Sequence, residues 1–237
     1  MEKNTEVWKY QVISGIGNIN LTFPNSNLIR ENFSQAFQDL FVLKMLGGKK
    51  HGTYLEIGAN HPTFHSNTFL LHSIFDWEGI SIEFDSKCFV DWPHLRPKSN
   101  FLISDALIID YKKALNFWFP NSNRRVDYLQ LDIDPSINTL TVLKRLPLDD
   151  FRFTVITFET DAYTGDLRAR DESRKLLNSY GYRLLGPDVS VVFKDISQNP
   201  IAFEDWWIDP LEINIDEFAF VPNTFEKPLF PQKLIRR

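Results

Sequence analysis

The chain has 237 residues, 10 of them glycine, with 43% hydrophobic residues and a net charge of −5. This predicts one sizeable domain with additions, whose core needs no disulfide staples. The acidic balance speaks against a phosphate-backbone binder, and glycine usage below the ~7% average speaks against a glycine-rich phosphate loop.

Cys88 is the single cysteine, so no intrachain disulfide can form, which fits a reducing compartment. The amino-terminal residues lack the apolar run of a secretory signal, and no stretch approaches the ~18 apolar residues of a membrane span. The expectation is a soluble, cytoplasmic protein of open oligomeric state.

Residues 1–33 read as an irregular extension, with a Gly15-Ile16-Gly17 turn and Pro24. The next segment, Ser34–Leu46, reads as a helix capped by Ser34 and ended by Gly47-Gly48. Apolar runs then predict strands at Thr53–Gly58, Gly79–Phe84, Asn100–Ser104, Val126–Asp132 and Phe153–Glu159. Helical patterns fall at Asn67–Phe75, up to Leu95, Ile137–Leu146 and Arg168–Tyr180, with Gly181 closing the last. Further strands are expected at Tyr182–Leu185 and Val189–Phe193, and a last one around Phe203–Trp207. Strands alternating with helices predict a wound, largely parallel α/β sheet covered on both faces. Domain limits are placed at 34–208, with residues 209–237 an extended, proline-bearing tail.

Ligands of open α/β sheets bind outside the carboxyl ends of the strands. All five strand ends carry carboxylates: Glu56, Glu83 with Asp85, Asp105, Asp132 with Asp134, and Glu159 with Asp161. Such a rim suits a ligand rich in hydroxyls, amines or positive charge. The first turn, Gly58-Ala59-Asn60-His61-Pro62-Thr63, has one glycine where a dinucleotide fingerprint needs three. An adenosyl ligand without phosphates fits better. Glu83 would accept the ribose hydroxyls, Asp105 the adenine amino group, and Gly58 would permit a close backbone approach.

The ordered set Ser34-Gln35-Ala36-Phe37-Gln38-Asp39, Glu56-Ile57-Gly58-Ala59-Asn60, Ser66-Asn67-Thr68, Gly79–Glu83, Asp132-Ile133-Asp134 and Glu159-Thr160-Asp161 resembles the FkbM-like class I methyltransferases. The resemblance implies a Rossmann-like, mostly parallel seven-stranded sheet whose last strand is antiparallel. It also implies S-adenosyl-L-methionine as cofactor, and methyl transfer to a hydroxyl on a carbohydrate or other small molecule. Carried onto this chain, Glu56, Gly58, Ala59 and Asn60 would contact the methionine part, and Asn67 would be a further cofactor-binding residue. Glu83, Phe84, Ser104, Asp105 and Ala106 would hold the adenosine, and Gln35 and Gln38 would shape the entrance. The chain departs from the family pattern at His61-Pro62, at Asp134-Pro135 and at Thr160, all toward the acceptor side.

Asp132, Asp134, Glu159 and Asp161 are the candidate general bases, and the same carboxylates offer hard oxygen ligands for Mg²⁺. Asp134 acting only as a helix cap is the plainer alternative. The paired residues His61 and His65 are a weak zinc candidate, because Pro62 interrupts a shared helix face. Phe203–Trp207 reads either as core or as an acceptor wall, and Arg168, Arg170 and Arg174 as a solvated face or an anion clamp. A nicotinamide-dependent oxidoreductase and a non-catalytic adenosyl-binding domain are the competing functions.

Overall fold

The computed structural model describes residues 10–11, 23–31, 33–193 and 201–214. Strands are β1 (Tyr10–Gln11), β2 (Thr53–Ile57), β3 (Glu78–Glu83), β4 (Asn100–Ile103), β5 (Arg125–Leu131), β6 (Arg152–Glu159), β7 (Arg183–Phe193) and β8 (Ile201–Ile208). Helices are α1 (Gln38–Met45), α2 (Phe69–Phe75), α3 (Trp92–Leu95), α4 (Tyr111–Trp118), α5 (Ser136–Arg145) and α6 (Arg168–Ser179). They build one sheet of order β1-β7-β8-β6-β5-β2-β3-β4. From β4 through β6 the strands are parallel, whereas β8 is antiparallel to both β6 and β7. The two-residue β1 adds only an edge pairing to β7. This is the expected Rossmann-like α/β architecture, with seven principal strands and the last one reversed.

Alternation along each strand divides the apolar side chains between two cores. Tyr54, Tyr128, Val155 and Trp206 face α1 and α2, packing with Leu40, Phe41, Leu70 and Phe75. Their neighbours Leu55, Leu129, Ile156 and Trp207 face α4, α5 and α6, packing with Leu115, Leu140, Leu143 and Leu177. With helices on both sides, the central strands have no solvent-facing side, and they read in sequence as largely apolar runs with a few buried polar residues such as Glu56 and Gln130.

Several expectations are corrected. Ser34 is not the N-cap residue of α1: the helix starts at Gln38 after Phe37 in a left-handed turn, and the Ser34 hydroxyl reaches it from outside, donating to Asp39 Oδ1 at 2.6 Å and accepting from Asp39 N at 3.4 Å. The two strands expected at 182–185 and 189–193 are one strand, β7, with register shifts around Gly186 and Val189 against β8. Helix α4 was not anticipated, although its signals are present. Asp110 accepts from Lys113 N, and Tyr111 and Leu115 are buried one turn apart. The Gly15-Gly17 turn and the tail from residue 215 lie outside the described residues. No described helix is long and apolar enough to cross a membrane.

Candidate functional site

Strands β2, β3, β4 and β5 end side by side, and a cleft of about 540 Å³ opens over those ends. That lies within the ~300–1,000 Å³ range of small-ligand sites. Of the expected cofactor residues, Gly58, Asn60, Glu83, Phe84, Ser104, Asp105 and Ala106 line it, as do Asp132 and Asp134 of the expected catalytic set. Asp85 of the expected acidic rim and Ile133 also line it, and so do Cys88, Leu107 and Asn138, which the sequence reading does not place there. The local signal for Asn138 was its place one helical turn after Asp134.

The first turn is built by close backbone contact. Gly58 N and Ala59 N both donate to the Ile82 carbonyl, at 2.9 and 3.0 Å. Gly58 has φ +83, and a Cβ there would lie 1.6 Å from the Asp132 carbonyl oxygen. Glycine is therefore demanded by the neighbouring strand as well as by the cleft. Asn60 follows at φ +49, a conformation asparagine tolerates better than most residues.

Glu83 organises the cleft wall. Its Oε2 accepts from Asn60 N at 2.8 Å, and its Oε1 from Phe84 N and Asp85 N at 2.8 and 2.9 Å. Three of about four strong acceptor positions on a carboxylate are thus used by the backbone. The Phe84 ring, 74% exposed, stands next to it. Asp105 Oδ1 accepts from Leu107 N at 2.8 Å and so holds the turn after β4. Cys88 Sγ donates to Asn60 Oδ1, and burial with nearby Glu83 and Asp85 pushes its thiol up. A thiolate nucleophile is disfavoured there.

The remaining expected cofactor residues sit away from the cleft lining. Glu56 is buried beneath it, where its Oε2 accepts from Thr68 Oγ1 (2.7 Å) and Ser81 Oγ (2.5 Å). The buried Arg96 guanidinium lies 3.8 Å from the same oxygen, and burial raises the Glu56 carboxyl against that opposing charge. Gln38 Nε2 donates to Glu204 Oε2 at 2.9 Å inside the core. Gln35 is half-buried before α1, Ala59 is buried in the first turn, and Asn67 is buried with Oδ1 lacking a hydrogen-bond partner.

The four expected catalytic carboxylates come together at the ends of β5 and β6. Asp132 and Glu159 share a hydrogen bond. Burial, reinforced by the charge on Asp132, pushes Glu159 up to about 12, so at neutral pH it is an acid rather than a base. Burial also raises Asp132, and burial with the charge of Asp134 raises Asp161. One carboxylate oxygen each from Asp134, Glu159 and Asp161 lies within 4.8 Å of the others. Asp134 is exposed and is not the cap of α5. The cap position is Pro135, and Asn138 Nδ2 returns to the Asp134 carbonyl.

Other candidates resolve into structural roles. Phe203, Trp206 and Trp207 are fully buried and pack in the two cores, so they do not form an acceptor wall. Arg174 clasps Asp205 with two bonds of 2.8 Å, Arg170 pairs with Asp171, and Arg168 pairs with Asp166. Arg168 stays solvated, as one reading expected, Arg170 and Arg174 are largely covered, and none of the three lines the cleft. His61 Nδ1 accepts from Phe64 N at 2.9 Å, and His65 stacks on Phe64 with its ring held down to about 4 by burial. No described metal cluster includes either histidine. Glu204, unremarked in the sequence, stands opposite Glu159 across β6 and β8. It accepts from Gln38 and Trp206, and burial pushes it up to about 8.

No family model and no curated protein matches the chain. Solved structures similar to it include a TehB-like SAM-dependent methyltransferase from Corynebacterium glutamicum. It has a TM-score of 0.44 at 13% identity, covering 73% of this chain and 87% of that one. A putative RNA methyltransferase from Pyrococcus horikoshii gives 0.47 at 14% identity, covering 81% and 94%. Aeropyrum pernix fibrillarin, with natively bound S-adenosyl-L-methionine, gives 0.43 at 12% identity, covering 68% and 67%. With TM-scores below 0.5, the functional reading rests on the geometry of the site itself.

Proposed function

We propose that the chain is an S-adenosyl-L-methionine-dependent methyltransferase of the FkbM-like kind. Its acceptor is a hydroxyl on a carbohydrate or other small molecule. The observation that carries this reading is the Glu83–Phe84–Asp105 arrangement in the cleft. A carboxylate, an exposed aromatic face and a second carboxylate on the adjoining strand match a ribose, a planar base and its amino edge. The single-glycine first turn has no row of free amides for a pyrophosphate, which disfavours a nicotinamide dinucleotide. The lone thiol fits a reducing compartment, the cytoplasm.

When bound, the cofactor supplies an electrophilic methyl on a sulfonium. The chain's own task is to hold the acceptor oxygen in line with that methyl, exclude water and take the hydroxyl proton. Gly58, Asn60, Glu83, Phe84 and Asp105 would hold the cofactor, which would give up that methyl and keep the electron pair of its carbon–sulfur bond. The proton passes to a carboxylate and then to solvent. Of the four candidates, Asp134 both lines the cleft and reaches solvent. Glu159, held protonated, instead orients Asp132.

Calorimetric titration of the full chain with S-adenosylmethionine, S-adenosylhomocysteine and NAD tests the proposal. The first two are expected to bind and NAD is not. Binding of NAD with no response to either adenosyl ligand overturns it. Tight adenosyl binding without turnover on any hydroxylated acceptor favours the non-catalytic alternative.

A further inference from the structure

We infer that the open edge of β4, Asn100–Ile103, is a self-pairing surface. Two copies of the chain join antiparallel along it, about a twofold axis at Leu102, and make one continuous sheet. The inference does not rest on the methyltransferase reading.

The first argument is the direction of the backbone groups. Among the described residues β4 ends the sheet and pairs in parallel with β3. Ser104 N donates to Glu83 O at 2.9 Å, which fixes the phase of that ladder. Successive residues of a strand turn their amide and carbonyl to opposite sides. Leu102 and Ser104 therefore face β3, while the amides and carbonyls of Phe101 and Ile103 face the open edge. An antiparallel copy in the register that sets Phe101 against Ile103 uses all of those groups. Leu102 then meets Leu102 on the axis, and the Phe101–Ile103 pair, aromatic against β-branched, occurs twice. A register centred on Phe101 would instead set Ile103 against Ser99, whose amide is already taken by the Arg96 carbonyl.

The second argument is the make-up of the edge. Strands that must stay unpaired carry charge, proline or a bulge. Asn100-Phe101-Leu102-Ile103 has no charge and no proline, and its register with β3 runs unbroken. Exposed apolar side chains collect on the segments that flank it: Val90 is 67% exposed, Ile108 74% and Phe117 81%. Phe101 stacks on Trp92 and Phe89, with ring centroids 4.0 and 5.7 Å away, so an isoleucine set against it extends an apolar surface already built. A hollow of about 720 Å³ at the start of β4, lined in part by Phe101, Phe117 and Phe119, adds concave apolar surface beside the edge. Contiguous apolar surface of this kind marks an interface.

Charge selects a second copy as the occupant. Lys98 stands exposed just before β4, and Asp105 stands just after it. Antiparallel self-pairing places the basic end of each strand beside the acidic end of the other, on both sides of the axis. A parallel copy would set like charges together. The contact is isologous and closed, as a twofold dimer requires. Ser104, Asp105 and Ala106 continue β4 into the wall of the cleft, so the axis lies beside both clefts and each copy braces the wall of the other.

The test is sedimentation of the full chain across a concentration series, with hydrogen exchange of the wild type read at single amides. A dimer is expected, with the Phe101 and Ile103 amides slowed in the concentrated sample relative to the dilute one. Ile103→Lys should weaken the dimer by roughly 100-fold. Lys98→Glu, which sets acid against acid at both ends, should weaken it by about tenfold. Ile103→Pro removes an amide that β3 does not use, so the monomer keeps its fold while the pairing is lost. The control Leu211→Lys, at a 74% exposed side chain after β8, should leave the dimer unchanged. A monomer at ~100 μM chain overturns the inference. So does a dimer indifferent to both Ile103 variants, or edge amides that exchange equally fast at both concentrations. Edge amides slowed in a monomer would assign the edge to another occupant and overturn it as well.

Discussion

The carbonyl oxygen of Asp132 occupies the space a Cβ would fill on Gly58, 1.6 Å from that position. The residue that opens the cleft and the residue that begins the carboxylate cluster are thus locked together through backbone. Gly58→Ala must both adopt φ +83 and push β5 away, so a loss of about 2–4 kcal/mol is expected. Gly47→Ala, where φ is +58 but nothing lies within 4 Å, should lose only ~1–2 kcal/mol. Urea unfolding of the two variants measures the difference.

Glu83 binds three backbone amides from two loops, and in the proposed function it also receives a ribose hydroxyl. Glu83→Gln keeps the size but replaces one acceptor oxygen with a donor facing those amides. S-adenosylmethionine affinity should fall about 10- to 100-fold by calorimetry. An unchanged affinity would remove Glu83 from the binding site.

The Arg96–Glu56 pair lies under the first turn, with Arg96 also donating to Tyr54 Oη at 2.8 Å and Thr68 Oγ1 at 3.0 Å. Arg96→Met strands a buried carboxylate, and a loss of about 3–5 kcal/mol is expected in chemical denaturation. Because Thr68 and Ser81 still donate to Glu56, the lower end of that range is the better figure.

Glu204 makes stability depend on pH in a definite direction. Burial lifts its carboxyl from 4.5 to about 8, so the folded chain keeps a proton that the unfolded chain releases. Its contribution is fully present below pH 4.5 and is lost as pH rises through about 8. Glu204→Gln cannot ionise and retains an acceptor for Gln38 and Trp206. Its stability relative to wild type should therefore increase between pH 5 and pH 8, read from Tm at each pH.

Asp134→Asn is expected to lower kcat by at least ~100-fold while leaving S-adenosylmethionine affinity within about twofold. Single-turnover kinetics beside calorimetry separate the two effects. Equal losses in both would mean that Asp134 serves the cofactor rather than the acceptor.

The strands, their order along the chain and the acidic residues at their ends were legible from local chemistry. A strand covered on both faces is mostly apolar, its few buried polar groups such as Glu56 and Glu204 needing partners, and its end is marked by a polar residue or glycine. Gly58, Glu83, Asp105, Asp132 and Asp134 could be located in this way, and they meet in one cleft. Helix α4 carries local signals too, in the Asp110 cap and the buried Tyr111 and Leu115 one turn apart. Other features depended on partners far away in sequence. The antiparallel insertion of β8 between β6 and β7 brings Glu204 to Gln38 and Asp205 to Arg174. It also buries Trp206 and Trp207 on opposite faces. The burial that turns Glu159 into an acid, and leaves Asp161 Oδ1 without a hydrogen-bond partner, arises only when β5 and β6 lie side by side. Residue type and periodicity reveal which carboxylates reach the sheet edge, while their charge state depends on desolvation and neighbours that only the packed sheet supplies.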